Sequence, residues 1–217
     1  MNNSKCVIIV AAMGVASSVA SADRVDLVVF ENADGADVSG LNLWVDVIDR
    51  GTHADFVFHN DSTIASFVRS VYIESTDFSD DALENGRVGS TQRSGVEFVE
   101  GGSPPNPAGS IQHFGGNWQG NLFASEADKS GSGKDGIDEG EQLVLQFDYD
   151  QMTFAALMSS LTAEQPGFRI AQHVQGLPGG YSVWTRNDDT PENVIPLPSA
   201  AMMSLAGLGL IAGRRQR

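Results

Sequence analysis

A period-two alternation of apolar and polar residues constrains the fold of this chain more than any other feature of its sequence. Residues 41–47 place leucine or valine at every odd position, and residues 143–149 place leucine, phenylalanine and tyrosine in the same way. Side chains along a β-strand point alternately to its two faces, so each segment predicts a strand with one buried face. The even-numbered, more polar set of the first segment includes Trp44.

Shorter segments of the same kind predict the rest of a β domain. They are residues 53–58 after a turn at Asp49-Arg50-Gly51, residues 64–73 with Phe67, Val71 and Ile73 on one face, residues 168–174, and residues 181–184. Glycine, asparagine, aspartate and proline separate them, as is typical of antiparallel sandwiches. The sequence therefore predicts an all-β fold, an antiparallel β-sandwich of jelly-roll or Ig-like type.

One segment has helical spacing instead. Phe154, Leu157, Met158 and Leu161 follow the i, i+3, i+4, i+7 pattern of an amphipathic helix. We predict a short helix over residues 153–163 that packs across an end of the sandwich. Helices are also predicted in two terminal signals.

The N-terminus has the features of a secretory signal peptide. Lys5 supplies a positive charge, residues 6–19 are mostly apolar or small, and Ala20-Ser21-Ala22 fits the pattern of a cleavage site. We therefore predict a signal peptide over residues 1–22, with Asp23 as the first mature residue. The alternative is a buried first strand or helix.

The C-terminus has three parts in a fixed order. Pro196-Leu197-Pro198 leads into an apolar run over residues 199–213, and Arg214, Arg215 and Arg217 follow. A helix over that run spans roughly 22 Å. The run is shorter than the about 20 apolar residues that a helix needs to cross a bilayer core. The short run, its terminal position and the arginines favour a processed signal with transient membrane association over a buried core helix.

This three-part order resembles the C-terminal sorting signal of the PEP-CTERM family of exported bacterial proteins. The residues that carry the resemblance are Pro196-Leu197-Pro198, the run ending Gly207-Leu208-Gly209-Leu210-Ile211, and the arginine cluster. Leucine stands at position 197, where the family motif has glutamate. The resemblance implies the export machinery and an exosortase-type processing enzyme as partners. It also implies a place at the cell surface or in the extracellular matrix, where exopolysaccharide is produced.

Between the two signals the sequence predicts one β-sandwich domain over residues 23–193, and the sorting signal occupies residues 194–217. All 28 acidic residues lie in this domain with nine of the 13 lysines and arginines, so its formal charge is −19. Nucleic-acid binding needs a basic surface, which argues against such a partner. Cys6, the only cysteine, lies in the signal peptide, so the mature domain would have no disulfide.

A calcium site is the metal hypothesis, and it rests on an acidic segment between two predicted strands. Laid on the twelve-residue calcium loop, Asp128, Ser130, Ser132 and Glu139 take ligand positions and Gly133 takes the turn position. Calcium prefers several oxygen ligands with a carboxylate at the last position. The alternative is a flexible surface loop that turns into the following strand.

Aromatic residues provide a second binding hypothesis. Trp44 and Trp184, with Trp118, Tyr72 and Tyr181 elsewhere in the chain, could form a platform on which sugar rings stack. The alternative is that these rings pack in the core and at its rim. Exposure of Trp44 or Trp184 beside a groove would favour the sugar hypothesis.

The sequence contains no catalytic motif. Its four histidines form no H-x-x-x-H or H-E-x-x-H pattern, and no G-x-S-x-G elbow occurs. We therefore predict a protein that is not an enzyme but an exported structural or interaction protein of the bacterial surface. The first alternative is a carbohydrate-binding or adhesive module, with calcium as its cofactor if the acidic segment binds it. The second is a secreted hydrolase, which requires a cleft with convergent carboxylates and a histidine.

Overall fold

The computed structural model of this chain describes residues 22–75, 83–90, 95–101, 123–128, 135–163 and 167–187. These ranges contain eleven strands: β1 (Ala22–Asp26), β2 (Val28–Glu31), β3 (Leu43–Asp49), β4 (His53–Asn60), β5 (Phe67–Ser75), β6 (Leu83–Val88), β7 (Phe98–Glu100), β8 (Phe123–Ala127), β9 (Glu141–Tyr149), β10 (Phe168–Leu177) and β11 (Tyr181–Arg186). One helix, α1 (Phe154–Leu161), lies between β9 and β10.

The strands form two antiparallel sheets that pack face to face. Sheet A has the order β1-β3-β4-β9-β6, and sheet B has the order β2-β11-β10-β5-β8-β7. Among these strands, only β3–β4, β7–β8 and β10–β11 are both consecutive and paired, so most connections cross from one sheet to the other. The all-β prediction of an antiparallel sandwich is confirmed.

The core lies between the sheets, and the period-two alternation builds it. In β3, Leu43, Val45 and Val47 are buried, whereas the residues between them are partly exposed. Strand β9 repeats this pattern, and its core residues join those of β3 in one cluster with residues of sheet B, including Val71 and Ile73 of β5. Burying apolar side chains of this size contributes about 1.5–3 kcal/mol each, so the cluster holds the two sheets together.

A bulge in β5 changes which of its residues enter the core. Register with β10 shifts between the pairs Val68–Val174 and Ser70–His173, which leaves Arg69 as an extra residue. Val68 is therefore fully buried, while Phe67, which the alternation predicts on the core face, is only half-buried. The Phe67 ring lies so close to Gly136 that a β-carbon there would come within 2.8 Å of it.

Helix α1 begins at Phe154, directly after its N-cap Thr153, and packs against the start of β10. The Thr153 hydroxyl accepts a hydrogen bond from the Ala156 amide at 3.3 Å, which caps the first turn. Leu157 and Leu161 are fully buried in the core cluster. Asn187 donates from Nδ2 to the carbonyls of Leu161 and Phe168, so one side chain ties the helix end to β10. The prediction of one short helix is confirmed.

The two predicted signals lie largely or wholly outside the described residues. Of the signal-peptide cleavage residues, Ala20 lies outside, whereas Ala22 and Asp23 begin β1 and pair with β3. The C-terminal sorting signal lies beyond residue 187 and therefore outside the described residues. The N-terminal signal also lies outside them, apart from its last residue, Ala22. The C-terminal sorting residues are Pro196, Leu197, Pro198, Arg214, Arg215 and Arg217. Within the described ranges, no helix is long and apolar enough to cross a membrane.

Candidate functional site

The outer face of sheet A carries Trp44 in a stack of three side chains. The His59 ring of β4 lies parallel to the indole, with centroids 4.7 Å apart and planes at 10°. The Arg24 guanidinium of β1 lies 4.3 Å from the indole centroid. Because β1 and β4 flank β3 on opposite sides, these two groups cover the two faces of the ring. Trp44 is half-buried.

Polar side chains lie close to both ring nitrogens of His59. Its Nε2 lies 2.9 Å from Asp46 Oδ2, and its Nδ1 lies 2.9 Å from Gln142 Nε2. With 13 % of its side chain exposed, the imidazole is positioned by neighbours on β3 and β9.

A second polar group on sheet A centres on Asp55. This buried carboxylate accepts hydrogen bonds from Arg50 Nε at 2.7 Å and Gln146 Nε2 at 2.8 Å, and His53 Nε2 lies 3.4 Å away. A carboxylate with a buried oxygen is stabilised when charged partners satisfy it. His53, Asp55 and Gln146 occupy neighbouring positions on β4 and β9, so the polar outer face extends across the sheet.

The outer face of sheet B carries an aromatic cluster of different character. Tyr72, Ala171 and Trp184 are buried together, with Phe30 and Ala124 packed against them. The Tyr72 and Trp184 rings lie 5.8 Å apart at 46°. Since Trp184 is only 4 % exposed, its ring has no face open to a sugar. The sugar-stacking prediction for Trp184 is corrected on this ground.

The two tryptophans of the sugar-stacking hypothesis do not form one platform. Trp44 projects from the outer face of sheet A and Trp184 from the outer face of sheet B, with the core between them. Trp118 lies outside the described residues. Among the described residues, Trp44 is therefore the one tryptophan of the predicted aromatic site that lies on a partly exposed surface.

Charged side chains surround the aromatic cluster of sheet B. Glu74 is fully buried and pairs with Arg169 across β5 and β10. Arg69 Nη2 lies 3.4 Å from Glu126 Oε2. Burial and, second, the nearby Arg69 charge lower the pKa of His173 from its ordinary 6.5 to about 4. This face therefore combines aromatic packing with buried ion pairs and a neutral imidazole.

The predicted calcium ligands are only partly described. Ser130 and Ser132 lie outside the described residues, and Asp128 is exposed. Glu139 Oε1 accepts a hydrogen bond from the Ser66 amide at 2.7 Å. Within the described ranges, no three His, Cys, Asp or Glu side chains come together in a way that could hold a metal ion. The calcium site remains a prediction, with one ligand already engaged in a protein contact.

The loop after Asp135 still has unusual electrostatics. Asp138 is partly buried, and this burial together with the Glu141 and Glu139 charges raises its pKa from 3.8 to about 6. The Glu141 side chain accepts a hydrogen bond from the Asp138 amide at 3.0 Å, which fixes the turn. A carboxyl group with this pKa exchanges its proton near neutral pH.

Asn60 organises this end of the sandwich, and the sequence interpretation missed it. The residue is 1 % exposed at the end of β4. Its Nδ2 donates to the Ile137 carbonyl at 2.9 Å and the Ser66 carbonyl at 3.3 Å, while its Oδ1 accepts from the Ser62 amide. The Asn-Asp-Ser spacing at a strand end is a signal for the local turn. Asn60 and Ile137 are 77 residues apart in the sequence, so no local sequence pattern indicates their contact.

No family model, no curated protein and no solved structure matches this chain.

Proposed function

We propose that this chain is an exported structural or interaction protein of the cell surface or extracellular matrix, released from a C-terminal sorting signal of the exosortase type. The observation that carries the proposal is where the described core begins and ends. Every residue of its two buried clusters lies between Val25 and Trp184. The predicted processing points lie at Ala22 and near Pro198, so cleavage at both would leave these clusters intact.

The surface chemistry supports the same proposal. The predicted mature domain has a formal charge of −19, which favours dispersion outside the cell and disfavours binding to anionic polymers such as nucleic acid. The nine basic residues of that domain include Arg69, Arg169 and Arg186, which are mostly buried. The exposed surface that a partner would contact is therefore mainly acidic.

Intact-mass measurement of the protein released by a bacterium with an exosortase tests this proposal. The released form is expected to begin at Asp23 and to lack the apolar run and Arg214, Arg215 and Arg217. Substituting those three arginines by glutamine is expected to abolish release, while Arg87→Gln in the folded domain serves as the matched control. Release of a form that still ends at Arg217 would contradict the proposal.

A carbohydrate-binding or adhesive module is the second candidate, and the Trp44 stack favours it. On the ring face toward β1, the described residue that covers the indole is Arg24, whose side chain is 50 % exposed. Asp46 and Gln142 lie beside the stack with oxygen and amide groups that suit sugar hydroxyls. A displaced Arg24 would leave an aromatic face for a sugar ring with hydrogen-bonding groups around it.

A glycan array distinguishes the two candidates. If Trp44 binds sugars, Trp44→Ala abolishes binding and Arg24→Ala strengthens it by uncovering the ring. Asp128→Asn, assayed with and without calcium, tests whether the acidic segment contributes. No binding to any glycan would leave the structural or interaction role as the supported candidate, whereas binding that survives Trp44→Ala would show that Trp44 is not the binding site.

A further inference from the structure

Strand β6 contains the only Asn-Gly dipeptide of the sequence, Asn85-Gly86. The strand lies at the edge of sheet A and pairs with β9, and its register shifts between Glu84 and Arg87. Asn85 is exposed at this bulge and has a φ of 50°, the only positive value of a described residue other than glycine. Asparagine tolerates this left-handed conformation better than most residues.

Two neighbours hold the asparagine in place. Its Nδ2 donates to Asp148 Oδ2 at 3.2 Å. Arg87 Nη1 donates to the Asn85 carbonyl oxygen at 3.1 Å and to Asp148 Oδ1 at 2.9 Å. The arginine therefore contacts the peptide group that joins Asn85 to Gly86, and the same arginine is fixed by the carboxylate that holds the asparagine side chain.

We propose that Asn85 is a site of spontaneous deamidation, promoted by the hydrogen bond from Arg87 to the Asn85 carbonyl. The Gly86 nitrogen loses its proton to solvent and attacks Asn85 Cγ. A new N–Cγ bond forms, the Cγ–Nδ2 bond breaks, and the amide nitrogen takes up a proton and leaves as ammonia. Water then opens the cyclic imide at either carbonyl, giving aspartate or isoaspartate. The net change is the exchange of ammonia for water, without any oxidant or cofactor.

Arg87 acts on the ionisation that must precede ring closure, the loss of the peptide proton. Negative charge that develops on the Gly86 nitrogen is shared with the Asn85 carbonyl oxygen, because both belong to one conjugated peptide group. A guanidinium that donates to this oxygen stabilises that charge. Glycine at position 86 adds no side chain that would shield its nitrogen.

Deamidation would place a second carboxylate beside Asp148. Hydrogen bonds from the Arg87 and Asn85 side chains, together with the positive charge of Arg87, hold the pKa of Asp148 below its ordinary value. Asp148 is therefore charged near neutral pH. An aspartate at position 85 would exchange a donated hydrogen bond for repulsion between like charges. An isoaspartate would also lengthen the backbone at the bulge. Either product weakens the pairing of the edge strand β6 with β9.

Peptide mapping by mass spectrometry tests the proposal on the purified folded protein. The protein is incubated at slightly alkaline pH in water enriched in heavy oxygen, which labels each converted residue. We expect conversion at Asn85 faster than at any other asparagine, with both aspartate and isoaspartate formed. We expect Arg87→Gln to slow it several-fold, Arg87→Lys to restore part of the rate, and Asn85→Gln to remove the labelled product.

Two results would overturn parts of this proposal separately. If Asn85 stays unconverted in the folded protein while it converts in the urea-unfolded chain, the folded bulge is not a reactive site. If Arg87→Gln leaves the rate unchanged or raises it in the folded protein, Arg87 does not assist the reaction. Equal rates of wild type and Arg87→Gln in urea provide the reference for the second comparison.

Discussion

The imidazole of His173 lies flat on the indole of Trp184, with ring centroids 4.5 Å apart and planes at 8°. The two residues face each other across β10 and β11. Burial and the nearby Arg69 charge lower the pKa of His173 to about 4. The stack is therefore formed by a neutral imidazole, and protonation would place a charge in a desolvated aromatic cluster next to an arginine.

The contribution of His173 to the stability of the protein is expected to fall as pH decreases from about 6.5 to about 4. Below pH 6.5 the unfolded chain binds a proton at His173 while the folded chain does not, so acid favours unfolding until the folded pKa is reached. The difference between 6.5 and about 4 corresponds to at most about 3 kcal/mol. Urea unfolding followed by tryptophan fluorescence at several pH values measures it.

The His173→Gln variant isolates this contribution. Glutamine is polar and does not titrate, so the variant is expected to lose less stability than the wild type between neutral pH and pH 4. His53→Gln, at a partly exposed position on the outer face of sheet A, is the matched control for the loss of a histidine. An unchanged pH dependence in His173→Gln would show that other groups cause it.

Asp138 is expected to act in the opposite direction in an overlapping pH range. Its pKa is raised from 3.8 to about 6 by burial and by Glu141 and Glu139. The folded chain therefore holds a proton that the unfolded chain has lost, and stability decreases as pH rises from about 4 to about 6. Asp138→Asn should raise the free energy of unfolding above pH 6 and leave it unchanged below pH 4.

An exposed aspartate provides the control for this measurement. Asp61→Asn removes the same formal charge from the same end of the sandwich, at a side chain open to solvent. If Asp61→Asn stabilises the protein as much as Asp138→Asn above pH 6, relief of the overall negative charge is sufficient as an explanation. If only Asp138→Asn raises the free energy of unfolding above pH 6, the increase is caused by the environment of Asp138.

Replacing Asn60 should destabilise the protein strongly for a polar residue. Asn60→Ala leaves the Ser62 amide without its acceptor and removes one of two donors to the buried carbonyl of Ile137, which keeps the bond from the Val68 amide. An unsatisfied buried group costs about 1–3 kcal/mol, and we expect a loss in that range by urea unfolding. Asn42→Ala, at an exposed position directly before β3, should change the free energy of unfolding by less than about 0.5 kcal/mol. Equal losses in the two variants would contradict this role of Asn60.

The alternation of apolar residues predicted the sandwich because the physical cause is local. Leu43, Val45 and Val47 share one face of a strand whatever lies opposite. The bulge at Arg69 is different, because it depends on how β5 pairs with a strand about one hundred residues away. A shift of one residue exchanges the two faces, so Val68 replaced Phe67 in the core.

The candidate sites were harder to predict for the same reason. Trp44 was expected on the more polar face of its strand, and it lies there, but its cover by Arg24 and His59 depends on the order of β1, β3 and β4. Trp184 alternates like a surface residue and is nevertheless buried in a second cluster on sheet B. Burial on the outer face of a sheet is a tertiary property, and the period-two pattern does not contain it.

A chain shortened to residues 23–193 should be as stable as the full chain. Removing Ala22 breaks one pair with Ile48 at the end of an edge strand, and the described core clusters begin at Val25, so we expect a change within about 0.5 kcal/mol. A chain that starts at Leu27 provides the comparison, because it also loses Val25 and the Arg24 contact with Trp44, with an expected loss of at least about 1.5 kcal/mol. Urea unfolding of the three chains measures both changes. If the 23–193 chain unfolds as readily as the one that starts at Leu27, the terminal segments contribute to the fold and are more than removable signals.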